Sequence, residues 1–238
     1  MKNQSIPAAS DSDSGGILLA SDHAYGVLRR DILMGVFGPG SQLRLADLRA
    51  RYGIGASPLR EALFRLAAQK LVLQENNRGF RVPPLSRGEW ADIVTMRRQL
   101  EPAAAEASVK LGDDAWEEQL LLAHRRLKRL GSAGDLLAPL QNSRSGEWEE
   151  LHRQFHFALI AACGSDWTIP FCALLNDQFD RFRRFAIPVR AVQMELADQH
   201  DALLEHALSR QDSACRALLD EHIRMTGDAV AHELQRLV

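Results

Sequence analysis

His152 and His156 stand four residues apart, so on a helix both face one side. Neutral imidazole is a borderline ligand that suits Zn²⁺, Ni²⁺ or Cu²⁺. His200 and His222 each share a helical stripe with apolar residues: Leu203, Leu204 and Ala207 for the first, Leu218, Leu219 and Ala229 for the second. A histidine on such a stripe is either a hydrogen-bonded core residue or a ligand. Arg97 has the same character, in the stripe Ile93, Arg97, Leu100 and Ala104. A buried guanidinium can take a carboxylate through two parallel hydrogen bonds, or it can pair with Glu101 one turn on. The run Arg181-Phe182-Arg183-Arg184-Phe185 reads mostly as solvated face, with one Arg a candidate to line a pocket.

These residues belong to a segment whose periodicity is helical throughout. Pro83-Pro84 breaks the chain, and beyond it helices are expected near residues 87–109, 113–130, 146–163, 167–185, 189–209 and 212–237. Gly112, Gly131, Gly134, Gly164 and Pro188 fall in the connections. No strand alternation or internal repeat is visible, so this part reads as an all-α bundle with its own core, spanning 85–238.

Ahead of the break the pattern differs. Tyr25, Leu28, Ile32 and Val36 recur at helical spacing over residues 21–34, and Gly35 with Pro39-Gly40 stops them. A short second helix carries Leu45 and Leu48 and ends at Gly53. A third is expected over residues 57–70, with Ser57 as its cap, Pro58 at the first helical position and Leu59, Ala62, Leu63 and Leu66 as its buried stripe. Two strand-like runs follow, 71–75 and 80–82, around Asn76-Asn77-Arg78-Gly79. Three helices and a hairpin in about sixty residues are the layout of a winged helix-turn-helix. The expected fold is therefore mainly α: a winged helix-turn-helix over 17–84, then the bundle.

Composition agrees with a globular protein: 46% hydrophobic and 25% charged residues. Net charge is −2, but residues 21–84 hold ten Lys/Arg against five Asp/Glu, and residues 85–238 hold eighteen against twenty-four. A basic small module beside an acidic larger one points to a polyanionic partner for the first. Residues 1–16 are polar and rich in Ser, Asp and Gly, which reads as a disordered tail rather than a signal peptide. No apolar run approaches the ~20 residues of a membrane span. Cys163, Cys172 and Cys215 are odd in number and unpaired in spacing, as expected of reduced core residues in a cytoplasmic protein.

The segment from Leu28 to Val82 resembles the GntR family of bacterial regulators. The landmarks are Pro39-Gly40, Leu43, Leu48, Gly53-Ile54, the block Ser57-Pro58-Leu59-Arg60-Glu61-Ala62-Leu63, Arg65-Leu66, Leu71-Val72 and Arg78-Gly79. The resemblance implies binding to double-stranded operator DNA. Ser57 and Arg60, early on the recognition helix, would face base edges and phosphates. Asn77, Arg78 and Gly79 form the wing tip, where Asn77 and Arg78 would enter the adjacent minor groove, and Arg44 would meet a phosphate. The alternative reading of Arg60 is an exposed charge paired with Glu61 or Asp47, and Arg65 is expected to be structural. The family carries a polar residue and an Arg just before Ser57; Gly55 and Ala56 stand there instead.

The remainder resembles the FCD effector domain of the FadR-type branch. The resemblance rests on Arg97-x-x-Leu100-Glu101, Phe155-His156, Gln199-His200-x-x-Leu203-Leu204, Asp212 and His222. In that family a carboxylate and three histidines hold a divalent metal. The resemblance implies His156, His200 and His222 as ligands to Zn or Ni, with His152 standing where the carboxylate would be. His23, His124, His206 and His232 match no ligand position and are read as solvated. An open position on such a metal would hold the carboxylate of a small metabolite, and Arg97 is a second candidate to bind that carboxylate.

The leading expectation is a ligand-responsive repressor acting as a homodimer. Two alternatives stand beside it: a metal-dependent helical-bundle hydrolase with a nucleic-acid-binding appendage, and a constitutive DNA-binding dimer. Four protein ligands leave little room for an activated water, which weighs against the hydrolase.

Overall fold

The computed structural model describes residues 11–75, 79–131, 143–186 and 189–237. The chain divides into two compact units, residues 1–32 with 36–84 and residues 33–35 with 85–238. Among the described residues the architecture is mainly α, with the strands confined to the first unit.

The first unit holds α1 (Asp11–Leu33), β1 (Gln42–Leu43), α2 (Leu45–Tyr52), α3 (Ala56–Ala68), β2 (Leu73–Glu75) and β3 (Gly79–Arg81). Ala24, Leu28 and Ile32 repeat every four residues on α1 and are all essentially fully buried. The stripe Leu59, Ala62, Leu63 and Leu66 on α3 is fully buried too. Each fully buried leucine contributes roughly 1.5–3 kcal/mol by leaving water. Gly53 ends α2 at φ 67°, ψ 14°, donating its N–H to the Arg49 carbonyl. That left-handed conformation is why a glycine stands there.

Three details differ from expectation. Helix α1 starts at Asp11, so residues 11–16, read as tail, are helical; a polar stretch can extend a helix without adding an apolar stripe. Helix α3 starts at Ala56 with Gly55 as its cap, in extended geometry, and no side chain caps it. Ser57 and Pro58 are its second and third residues. Pro is tolerated there because the first-turn N–H groups have no intrahelical acceptor. The third difference is β1, which pairs Gln42 with Arg81 and Leu43 with Phe80, giving an antiparallel sheet in the order β1-β3-β2. A strand of two residues carries no alternation to read.

The second unit is a bundle of α4 (Arg87–Leu111), α5 (Asp114–Gly131), α6 (Ser143–Ile160), α7 (Thr168–Ala186), α8 (Val189–Leu208) and α9 (Asp212–Leu237). Ser86 caps α4 by accepting from the Glu89 N–H, and Asp113 accepts from the Trp116 N–H at the head of α5. The main core joins Trp116, Leu120, Phe155, Leu159, Leu203 and Leu219. A second cluster holds Trp90, Ile93, Phe179, Phe182, Val230 and Leu234. Helices α4 and α9 run close enough that Trp90 Nε1 donates to the Gly227 carbonyl at 3.0 Å. A Cβ on Gly227 would lie 2.9 Å from Val94 Cγ1, so this crossing needs the glycine.

Candidate metal centre and nucleic-acid interface

His152 and His156 on α6, His200 on α8 and His222 on α9 come together inside the bundle. One ring nitrogen from each lies within 4.8 Å of the others. The His152 and His156 Nε2 atoms are 3.1 Å apart. The ring centroids of His156, His200 and His222 form a near-even triangle with sides of 5.5, 5.0 and 4.9 Å. Helical spacing explains the first pair, and the apolar stripes of α8 and α9 carry the other two inward. Phe155 packs against His156 and His200 at centroid distances of 5.5 and 5.3 Å.

Electrostatics keep these rings neutral. Burial holds the His152, His156 and His222 imidazoles well below their ordinary pKa, and the neighbouring imidazoles add to the push. Burial pushes His200 down to about 4; His124 and Arg183 act in the same direction and Asp201 opposes them. Neutral imidazoles offer lone pairs, which is the state metal binding requires. Two buried ring nitrogens, His156 Nδ1 and His200 Nε2, have no hydrogen-bond partner among the described residues. A buried polar atom left this way costs about 1–3 kcal/mol, so it calls for a water or an ion. The donor set and these orphaned atoms fit a divalent transition metal.

The His222 ring is also oriented from outside the cluster. Its Nδ1 lies 2.9 Å from Gln199 Oε1, which leaves Nε2 as the lone-pair nitrogen. Sequence reasoning used Gln199 only as a landmark, although its place next to His200 was a signal.

Beside the histidines lies a cavity of about 10 Å³, lined by Arg97, His152, His156, Asn176, Arg183 and His222 among others. That is on the order of one water molecule. Arg97 is buried and takes Glu101 in two hydrogen bonds, Nε to Oε1 at 2.6 Å and Nη2 to Oε2 at 2.9 Å. Asn176 Nδ2 donates to the same carboxylate at 2.9 Å, and the Phe179 ring lies 4.0 Å from the guanidinium. Both sequence readings of Arg97 thus meet in one place: it is paired with Glu101, and it faces the cavity.

The arginine run on α7 is not a solvated face. Arg181, Arg183 and Arg184 are all buried. Their compensating groups come from far along the chain: Glu89 pairs with Arg181, and Glu149 with Arg183. Distant acids leave no local mark in a sequence. Asn176 and Arg183 are two turns apart on α7, a spacing that places them on one face. His124 also departs from expectation. It is buried, and its Nε2 meets Asp201 Oδ1 at 2.8 Å.

In the first unit, Arg44, Ser57, Arg60 and Gly79 are all exposed. Arg44 is the N-cap of α2, with its Nε 3.3 Å from Gln42 Oε1. Ser57 and Arg60 lie on the first turns of α3. Arg60 makes no ion pair among the described residues, while Glu61 accepts from the Ser21 hydroxyl at 2.6 Å. Arg65 is tied to Asp22 at 2.6 Å and sits over the Tyr25 ring. Gly79 opens β3 at φ 89°. Asn77 and Arg78 lie outside the described residues.

Residues 20–82 match the gntR family of bacterial regulatory proteins, and residues 92–225 match the FCD domain. This chain belongs to the GntR family. It is 36% identical over 196 residues to the HTH-type transcriptional regulator BphR of Paraburkholderia xenovorans strain LB400, covering 82% of this chain and 79% of that one. It is 31% identical over 209 residues to the HTH-type transcriptional repressor GlaR of Escherichia coli K12, covering 86% of this chain and 93% of the repressor. Its fold matches E. coli McbR/YncC with a TM-score of 0.73 at 18% identity, over 92% of this chain and 99% of that one. A GntR regulator from Rhodococcus sp. RHA1 gives the same TM-score at 19% identity, over 90% and 97%. The chain is a DNA-binding transcriptional regulator with a ligand-sensing domain, not an enzyme. Among the described residues, no helix is long and apolar enough to cross a membrane.

Proposed function

We propose that this GntR regulator is a repressor that binds a pseudo-palindromic operator as a homodimer and senses a small organic acid at a metal in its helical bundle. The observation that carries this reading is the convergence of His152, His156, His200 and His222 beside a cavity that Arg97 also lines. The four neutral imidazoles would hold Zn²⁺ or Ni²⁺. Once bound, the ion would supply a Lewis-acidic point for a carboxylate. Arg97 adds fixed positive charge at the same wall. The cavity holds about one water, so a metabolite would enter with a rearrangement of its lining, which would tie ligand binding to the packing of the bundle.

On the DNA side, Arg60 and Ser57 would read the major groove from the start of α3. Asn77, Arg78 and Gly79 would serve the wing, and Arg44 the phosphate backbone. Arg60 is exposed and makes no ion pair among the described residues, which supports its part. With Gly55 and Ala56 ahead of Ser57, the operator of this chain is not carried over from the family pattern it resembles. One winged module covers too little DNA for tight specific binding, and a twofold dimer on two half-sites is the usual remedy. Operator binding would place its action in the cytoplasm.

The test is selection of genomic fragments by the full-length protein, followed by anisotropy titration with and without small mono- and dicarboxylic acids. Sequence-selective binding with a symmetric footprint is expected, together with an affinity change of about fivefold or more on adding an active acid. Binding no tighter than to competitor DNA would overturn the reading. Selective binding that no acid alters would favour the constitutive dimer.

A further inference from the structure

We propose that the outer face of α5 is the surface on which two copies of this chain meet: the helix lies antiparallel to its counterpart, across a twofold axis that passes between Leu121 and Leu122. This rests on the homodimer proposed above and names the surface that builds it.

The face is defined by the helix itself. Trp116, Leu120, Ala123 and Leu127 turn inward and are buried in the bundle. On the opposite side Asp114, Glu118, Leu121, Leu122, Arg125 and Arg129 are all exposed. At 3.6 residues per turn these six fall within one stripe about 100° wide. Leu121 and Leu122 are 40% and 43% exposed, side by side in mid-helix. A single surface leucine needs no explanation, but two together between charged ends make an apolar centre with a polar rim, the anatomy of an interface. The acids precede the leucines and the bases follow them. Among the described residues, none of Asp114, Glu118, Arg125 and Arg129 has an ion-pair partner. Asp114 and Glu118 are one turn apart, as are Arg125 and Arg129, so each has a like charge as its neighbour along the helix. An acidic start and a basic end suit the helix dipole, but the dipole gives no reason for the leucines between them.

The stripe complements its own reverse. A twofold axis between Leu121 and Leu122 sets Leu121 opposite the partner's Leu122, Glu118 opposite the partner's Arg125, and Asp114 opposite the partner's Arg129. Each contact then occurs twice, as an isologous interface requires. A parallel pairing would instead set every charge against itself. From Asp114 to Arg129 the stripe is about 22 Å long at 1.5 Å per residue. An open groove of about 420 Å³ borders it, lined by Lys128 of α5 and by Leu204 and Leu208 of α8 among others. Leu208 is itself exposed. The groove extends the apolar surface toward the ~800 Å² per partner of a standard interface.

The test is sedimentation equilibrium of the full-length protein and of two charge-reversal variants, Glu118→Arg and Arg125→Glu, each checked for a wild-type melt. Either variant alone sets like charges opposite each other at both symmetric positions, so its self-association should weaken about tenfold or more. Mixed together, the two variants should form a heterodimer of near wild-type affinity, because every facing pair is again opposite in sign. The double variant should regain the same affinity. Asp114→Arg and Arg129→Glu form a second such set if either of the first misfolds. Leu121→Asp, which buries an unpaired carboxylate only in the dimer, should leave the protein monomeric at micromolar concentration. Single variants that dimerise like wild type, a mixture that stays monomeric, or a dimeric Leu121→Asp would each overturn this surface while the homodimer stands. A wild type that is itself monomeric at micromolar concentration and protects one half-site would overturn both.

Discussion

The Nδ1 of His222 on α9 lies 2.9 Å from the side-chain oxygen of Gln199 on α8. This bond crosses between two helices that each supply a histidine to the cluster. It selects the tautomer in which Nε2 is free to act as a donor. Gln199→Leu removes the acceptor and leaves a buried N–H unsatisfied. Metal affinity should fall about 10–100-fold with the other three histidines intact. Competition titration against a chromophoric chelator measures it, and an unchanged affinity would show that the ring is oriented by packing alone.

The two exposed arginines on α3 should separate cleanly. Arg60 has no ion pair among the described residues, so Arg60→Ala removes nothing the fold uses. Operator affinity should fall by roughly 1–3 kcal/mol, the worth of a good bidentate base contact. Arg65 is held by Asp22 and Tyr25. Arg65→Ala should leave operator affinity near wild type and cost about 0–1 kcal/mol of stability, as for other exposed pairs. Mobility-shift titrations and melts distinguish the two patterns; the reverse pattern would reassign the contact. Arg78→Ala should weaken binding less than Arg60→Ala, mainly on A·T-rich flanks.

The buried pair of Arg97 and Glu101 should be costly to break from one side. Burial would by itself lower the Arg97 pKa, but Glu101, with smaller help from Asp180 and Cys172, more than offsets this and leaves it raised. Glu101→Gln keeps the shape and removes the charge, stranding a guanidinium in the bundle. The expected loss is about 3–5 kcal/mol of stability. Arg97→Met combined with Glu101→Leu should cost less than either single change, because no charge is left unpaired. Denaturant titrations of the three variants check this, and a single-variant loss below about 1 kcal/mol would mean the pair is hydrated.

Much of this was legible in the sequence where one periodicity was enough. The stripe on α3, the glycine end of α2 and the helical run after Pro83-Pro84 each follow from local spacing. So does the pairing of His152 with His156 across one turn. What was hidden depends on distant partners. Arg181 and Arg183 look like surface residues until Glu89 and Glu149 arrive from other helices. His124 looks solvated until Asp201 meets it from α8. The start of α3 was misplaced because Ser57 and Pro58 both suit a helix start, and the chain uses Gly55 as the cap instead. Strand β1 was missed because its two residues gain their identity only by pairing with β3.

The central claim is that the four histidines are a metal centre, and the metal content of the reconstituted protein tests it most directly. Full-length protein is stripped with chelator, refilled with Zn²⁺ or Ni²⁺, freed of excess and measured by elemental analysis beside a His200→Ala/His222→Ala double variant. The account predicts one metal per chain in the wild type and none retained in the double variant. Melting temperature should rise with occupancy in the wild type alone, since a ligand at about 100-fold its Kd adds ~2.7 kcal/mol. A wild type that retains no stoichiometric metal and melts alike with and without chelator would contradict it. The cluster would then be the polar lining of an effector pocket, with Arg97 as its charged wall.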